Sequence, residues 1–177
     1  MKKSIGLFAV IACLVVPVTA SADPIKIGMG MDLGAPDGLG IGVTAQPWTH
    51  YLRLGVSFQD NYISPGMRGS VSFTPIKFPV FPELEIAGGW FARETIPFSL
   101  GSVSNLNLQY SYADFLFGIG FGNRDKAMFL LSGGASYIDA NIGNIGQSVH
   151  LSNALFSNPT FTGWIPSGKL GFVAFFN

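Results

Sequence analysis

The sequence is poor in charge, holds one cysteine and has no excess of either sign. Asp, Glu, Lys and Arg make up only 11% of 177 residues, against roughly 25% in an ordinary soluble domain. Ten basic and ten acidic side chains cancel, so the basic footprint that nucleic acid would need is missing. The lone Cys13 supports neither a disulfide framework nor a cysteine-based metal site, and no cofactor or metal is expected. After residue 22 no apolar run approaches the roughly 18 residues of a transmembrane helix. What is plentiful is hydrophobic side chain, 48% in all, with 23 Gly and 16 Phe. A disordered chain is thereby excluded, and an ordinary soluble enzyme is a poor fit.

Residues 1–22 read as a secretory leader. Lys2 and Lys3 supply a positive start, and Ile5–Val18 supply an apolar stretch interrupted by Pro17. Ala20-Ser21-Ala22 then places small residues where a signal peptidase reads. The stretch is short for a spanning helix. A minor alternative is lipoprotein processing at Cys13, since Val10-Ile11-Ala12-Cys13 loosely matches a lipobox. Cleavage near Ala22 leaves one domain, residues 23–177, which is exported and apolar. A closed barrel is the structure other than a helix that satisfies every backbone N–H and C=O inside a bilayer.

The dominant period is two. Ile25, Ile27, Met29, Met31 and Leu33 share one face, opposite Lys26, Gly28, Gly30 and Asp32. The pattern repeats at Leu39–Gln46, at Leu52–Phe58 opposite Arg53, at Met67–Phe73 opposite Arg68, and at Leu84–Trp90 opposite Glu85. It continues in Asn107–Phe121 opposite Asp114, in Ala127–Asn141, and in a final strand with Leu170, Phe172, Ala174 and Phe176 opposite Lys169. Alternation of this length argues for eight strands. Lys26, Asp32, Arg53, Arg68, Glu85, Asp114 and Lys169 all share a face with Gly, Ser and Thr, away from the bulky apolar side chains. A membrane barrel has this polarity, apolar outside and polar inside.

The connections set the orientation. They are 34–38, 46–50, 59–65, 74–82, 92–106, 122–126 and 140–165. With both termini in the periplasm, the two longest, Ala92–Leu106 and Ala140–Ile165, face outside, as in outer-membrane barrels. Trp48, Tyr51, Phe78 and Phe81 then fall near the periplasmic interface. Tyr62, Trp90, Tyr110, Tyr137 and Trp164 fall near the outer one, giving the two aromatic girdles of such barrels.

On these residues the mature chain resembles the small eight-stranded outer-membrane barrels, the class that includes the OmpX- and OmpW-like proteins. Leu170-x-Phe172-x-Ala174-x-Phe176 resembles the C-terminal signal read by the barrel assembly machinery in that class, here followed by Asn177. The resemblance implies an all-β, eight-stranded, antiparallel, up-and-down transmembrane β-barrel in a Gram-negative outer membrane. Its partners would be outer-membrane lipid, lipopolysaccharide and, during biogenesis, that machinery. A closed barrel leaves no strand edge for pairing, so a monomer is expected.

Eight strands enclose a lumen only wide enough for side chains. The seven inward charges are therefore expected to pair across it as a structural network, with a proton or ion path as the competing use. His150-Leu151-Ser152 resembles the His-x-Ser of outer-membrane lipid A deacylases, but no Asp or Glu follows Asp139 to orient the base. The glycines of Gly28-x-Gly30 and Gly118-x-Gly120-x-Gly122 read as relief of crowding inside a barrel, not as a nucleotide fingerprint. Arg93, Arg124 and Lys126 are expected at the rims. The expected role is structural or surface interaction, without enzymatic activity and with the outer loops as contact surface. The alternatives are a narrow channel or carrier for small or hydrophobic solutes, a lipid A-modifying enzyme, and a periplasmic ligand-binding barrel.

Overall fold

The computed structural model describes residues 25–47, 51–76, 78–100, 103–143 and 160–176. The leader, Trp48, and the His150-Leu151-Ser152 tripeptide lie outside them. Eight strands follow in order: β1 (Lys26–Ala35), β2 (Gly38–Gln46), β3 (Leu52–Asp60), β4 (Pro65–Phe73), β5 (Val80–Leu100), β6 (Val103–Asn123), β7 (Ala127–Gly143) and β8 (Thr160–Phe176). Each pairs antiparallel with its neighbours. β1 also pairs with β8, from Ile27 opposite Phe176 to Ala35 opposite Gly168, so the sheet closes into a barrel. No helix of the described residues is long and apolar enough to cross a membrane.

The register fixes the shape. One ring of partners runs Ile27, Ala45, Leu54, Val71, Ile86, Phe115, Ala135, Pro166. Because Gly168 faces Ala35, Pro166 returns to a level two residues beyond Ala35. The stagger around the barrel is therefore about ten residues. At about 3.3 Å per residue and about 4.8 Å between strands, the strands lean about 40° from the axis. Nine or ten residues leaning by that angle rise about 23–25 Å.

Period two then assigns the faces. Met29, Met31, Ile41, Val43, Val56, Phe58, Met67, Ile86, Phe117, Leu131 and Leu170 stand exposed on the outside. Arg53, Arg68, Glu85, Asp114, Ser132, Ser136 and Lys169 are buried within. Glycine supplies the room. A Cβ on inward Gly89 would lie 2.3 Å from the Tyr112 ring, and one on Gly120 would lie 2.0 Å from the Phe81 ring.

Of two expected loops, Ala92–Leu106 is strand in its described residues and Ala140–Ile165 is strand at its two described ends. Ala92–Leu106 continues the β5–β6 pairing, with Glu94 opposite Leu108 and Ile96 opposite Leu106. Thr160–Ile165 belongs to β8, and Asn141–Gly143 to β7. Val80, Phe81 and Pro82, expected in a turn, open β5. The extensions leave the apolar band, so both of their faces can be polar and alternation no longer marks them. Register shifts between Phe91 and Glu94 and between Pro97 and Leu100 absorb the irregular pairing there. The wall formed by β5–β8 consequently stands taller than that of β1–β4.

A Cβ at Gly134 would sit 2.0 Å from the Phe115 carbonyl oxygen, whereas one at Gly69 would meet nothing within 4 Å. Gly134→Ala is expected to destabilise the barrel by about 1–3 kcal/mol, as overpacking against backbone does. Gly69→Ala should stay within about 0.5 kcal/mol. Urea unfolding of the refolded variants measures both.

Candidate functional site

The lumen is the one place where the fold gathers chemistry-bearing side chains from distant parts of the chain. Strand parity sends Arg53 (β3), Arg68 (β4), Glu85 (β5), Asp114 (β6) and Lys169 (β8) to a common belt at mid-height. Arg68 is its hub. Nη2 of Arg68 lies 2.8 Å from Glu85 Oε1 and 3.1 Å from Asp114 Oδ2, while Nη1 donates to Asp37 Oδ2. Lys169 Nζ donates to both Glu85 oxygens. Arg53 Nη2 donates to Glu83 Oε1 at 2.8 Å and to Ser72 Oγ at 3.0 Å. The Ser136 hydroxyl donates to Asp114 Oδ1. Such partners are what make a buried charge tolerable, since an unpaired one costs several kcal/mol.

Two of the seven expected charges stand apart from this belt. Lys26 pairs with Asp125 of the β6–β7 turn, at the end of the barrel where the strands begin and end. Asp32 is half-buried and accepts a hydrogen bond from Gln59 Nε2 at 3.2 Å. Conversely, Glu83 and Asp37 belong to the belt and were not expected there. Glu83 shares parity with Glu85, but Pro82 disguised its position as a turn. Asp37 lies in the two-residue β1–β2 connection, which bends into the lumen. Burial pushes its carboxyl up to about 6, against the pull of Arg68.

Apolar clusters pack in the lumen on both sides of the belt. Phe91, Tyr110, Tyr112, Ile138 and Ala140 pack together on the side of the long hairpins, with Phe91 and Tyr110 stacked at 4.6 Å between centroids. Phe81, Met128, Leu130, Val173 and Phe175 pack at the other end, where the Arg124 guanidinium lies 5.4 Å from the Phe81 centroid. This corrects three expectations. Tyr110, expected in the outer girdle, is only 7% exposed, because it lies four residues before Asp114 and therefore points the same way. Phe81 likewise faces inward with Glu85. Arg124, expected on a rim, is buried and donates to the Ile76 carbonyl at 3.0 Å. Tyr51, Tyr62, Trp90, Tyr137 and Trp164 do stand exposed.

The space that remains is small. One cavity of about 50 Å³ is lined by Asp32, Arg53, Ser57, Arg68, Glu85 and Lys169, among others. That is room for a few water molecules. It lies toward the strands whose inward positions include Gly30, Gly42 and Gly55. Among the described residues no group of three His, Cys, Asp or Glu could hold a metal ion.

Replacing Arg68 with Met would leave Asp37, Glu85 and Asp114 without their shared cation. That loss is expected to cost about 3–5 kcal/mol, as for other broken buried pairs. Lys26→Ala, at the partly exposed end pair, should cost about 1 kcal/mol or less. Denaturant unfolding of the two variants at one pH distinguishes a belt hub from an end contact. No protein-family model, curated protein or solved structure matches this chain, so the function of the lumen has to be read from its own residues.

Proposed function

We propose that this chain is an integral outer-membrane β-barrel with a structural or surface-interaction role and no enzymatic activity. Its lumen is filled by a charge network, and its outer loops form the contact surface. The observation that carries this reading is the inverted polarity of the closed barrel: large apolar side chains outside, ion pairs inside. A soluble protein rarely exposes an apolar patch beyond about 300–600 Å². Here the apolar positions run around every strand. A belt about 25 Å high matches the apolar band of transmembrane barrels.

The edges of that belt support the same reading. Trp90, Tyr137 and Trp164 stand at one level on β5, β7 and β8, with Tyr137 and Trp164 in edge contact at 5.4 Å. The next outward positions beyond Tyr137 and Trp164 are Asp139 and Thr162, both exposed. Tyr51 and Phe78 mark the opposite edge. Among outward strand positions with described side chains, the charges are Asp60 at the outer end of β3 and Asp139 beyond Tyr137, and a lipid-facing Arg or Lys at mid-height would cost about 2–4 kcal/mol. The strand ends at Lys26 and Phe176 share one end with the β2–β3, β4–β5 and β6–β7 connections, and on this reading that end is periplasmic. The tall β5–β8 wall then projects outside, where lipopolysaccharide is the neighbouring lipid. Closure of the sheet favours a monomer.

A narrow channel fits less well, because apolar layers lie both above and below the belt. Lipid A modification would need His150 and Ser152 to find an acid, and none follows Asp139 in the sequence.

The test is extraction and electrophoresis. The protein should fractionate with outer membranes, resist alkaline extraction and shift in gel mobility on boiling. A freely soluble protein with no shift would contradict the proposal. In planar bilayers the refolded protein should give no steady openings at neutral pH; steady openings would move the reading to a channel.

A further inference from the structure

Nearly all of the charges gathered in the lumen ride on strands and are fixed by ladder hydrogen bonds. Asp37 is different, because it sits in the two-residue turn between β1 and β2. Its neighbour across the rim, the β3–β4 turn, carries Tyr62 outward, 90% exposed, while Ser64 and the Asn61 side chain of that turn face in. The β1–β2 turn instead folds inward until Asp37 is only 2% exposed. Asp37 Oδ2 accepts from Arg68, and the Pro36 carbonyl accepts from the Tyr110 hydroxyl at 3.1 Å. Asn61 of the β3–β4 turn donates to that same hydroxyl. Gly34 and Gly38 flank the turn and face each other across it. Gly38 has φ 80°, a left-handed backbone that glycine adopts without strain.

The seat that receives Asp37 is overfilled with carboxylates. Arg68 contacts Asp37, Glu85 and Asp114 at once. Glu85 has a second cation in Lys169, so Asp37 and Asp114 are left to share one guanidinium. The groups facing Asp37 are Arg68 from β4, Tyr112, Tyr110 and Asp114 from β6, and Asp32 from β1. Glu85 of β5 stands behind Arg68. Asp114 and Asp32 disfavour a second negative charge there, while Arg68 and a hydrogen bond from the Tyr112 hydroxyl favour it.

We propose that the β1–β2 turn is a proton-operated latch on the outer lumen: protonated Asp37 stays seated, and ionised Asp37 is driven out, giving solvent access to the cavity beside Arg68 and Lys169. The proton moves between water and the Asp37 carboxyl, and no other bond changes. This inference rests on the closed barrel and its register, and goes beyond the membrane reading above.

The direction of the pH effect follows from linkage. In the seat, burial raises Asp37 from its ordinary 3.8 to about 6. The seated state therefore binds a proton more tightly than a solvated turn does. The stabilisation it gains from that proton is full below about pH 4 and is lost as pH climbs through about 6. Acid closes the latch, and neutral to mildly alkaline solution frees it.

The full chain, refolded in detergent micelles, tests this by nuclear magnetic resonance. The readout is relaxation of the Asp37 and Gly38 α-protons by a soluble gadolinium chelate, with the Tyr62 α-proton as the exposed reference. At about pH 5 the enhancement should be as low as for inward strand positions, and at about pH 8 it should rise several-fold toward that of Tyr62. Asp37→Asn, which removes the ionisation, should stay low at both pH values. Asp114→Asn, which frees Arg68 for Asp37, should also stay low at both. Equal wild-type values at the two pH values would overturn the proposal, as would a rise on acidification. A folded variant that follows the wild-type rise would overturn it too. If one variant fails to fold, the wild-type titration and the other variant still decide.

Discussion

A barrel of eight strands has a lumen too narrow for bulk water, and that constraint governs the rest of this molecule. Any charge that points inward must find its partner inside the same narrow space. Arg68 meets the requirement most fully, with carboxylates arriving from β5, from β6 and from the β1–β2 turn. Since these partners come from three places in the chain, the network forms only when the sheet closes in its observed register. A shift of one residue on any strand would turn its charge outward and its apolar row inward. The belt therefore specifies register as well as tolerating charge.

Around that belt the lumen is filled by size. The aromatic layer on β5 and β6 is accommodated by glycine at positions such as Gly89. Strands β1–β3 instead place Gly30, Gly42 and Gly55 beside the cavity. One side of the barrel is packed with large side chains and the other is comparatively open. The β1–β2 turn folds into this interior as far as Arg68, which is how a two-residue connection comes to have a nearly fully buried carboxylate.

Much of this was legible in the amino-acid sequence, because period two is a direct projection of the fold. The strand count, the inward parity of Arg53, Arg68, Glu85, Asp114 and Lys169, and the outward parity of Trp90, Tyr137 and Trp164 all follow from alternation. Tyr110 and Phe81 were legible by the same rule, four residues from Asp114 and from Glu85, but aromatic type outweighed parity in reading them. Glu83 was hidden by Pro82, which reads as turn chemistry although proline is acceptable near the start of a strand. Asp37 was not legible. A Pro-Asp-Gly sequence signals a turn but carries no sign of whether that turn points to solvent or into a lumen. The upper parts of β5, β6 and β8 were lost for a different reason: their pairing is inherited from the strands below, not dictated by a buried face.

The central claim is that the outward row faces lipid and the inward row does not. A scan of single nitroxide labels along β6, from Ala113 to Phe121 in reconstituted bilayers, tests it most directly. Odd positions should be highly accessible to dissolved oxygen and shielded from a water-soluble nickel reagent, with oxygen exposure greatest midway between Ala113 and Phe121. Even positions should be shielded from both. Oxygen accessibility at the even positions, or nickel accessibility along the whole odd row, would contradict the account.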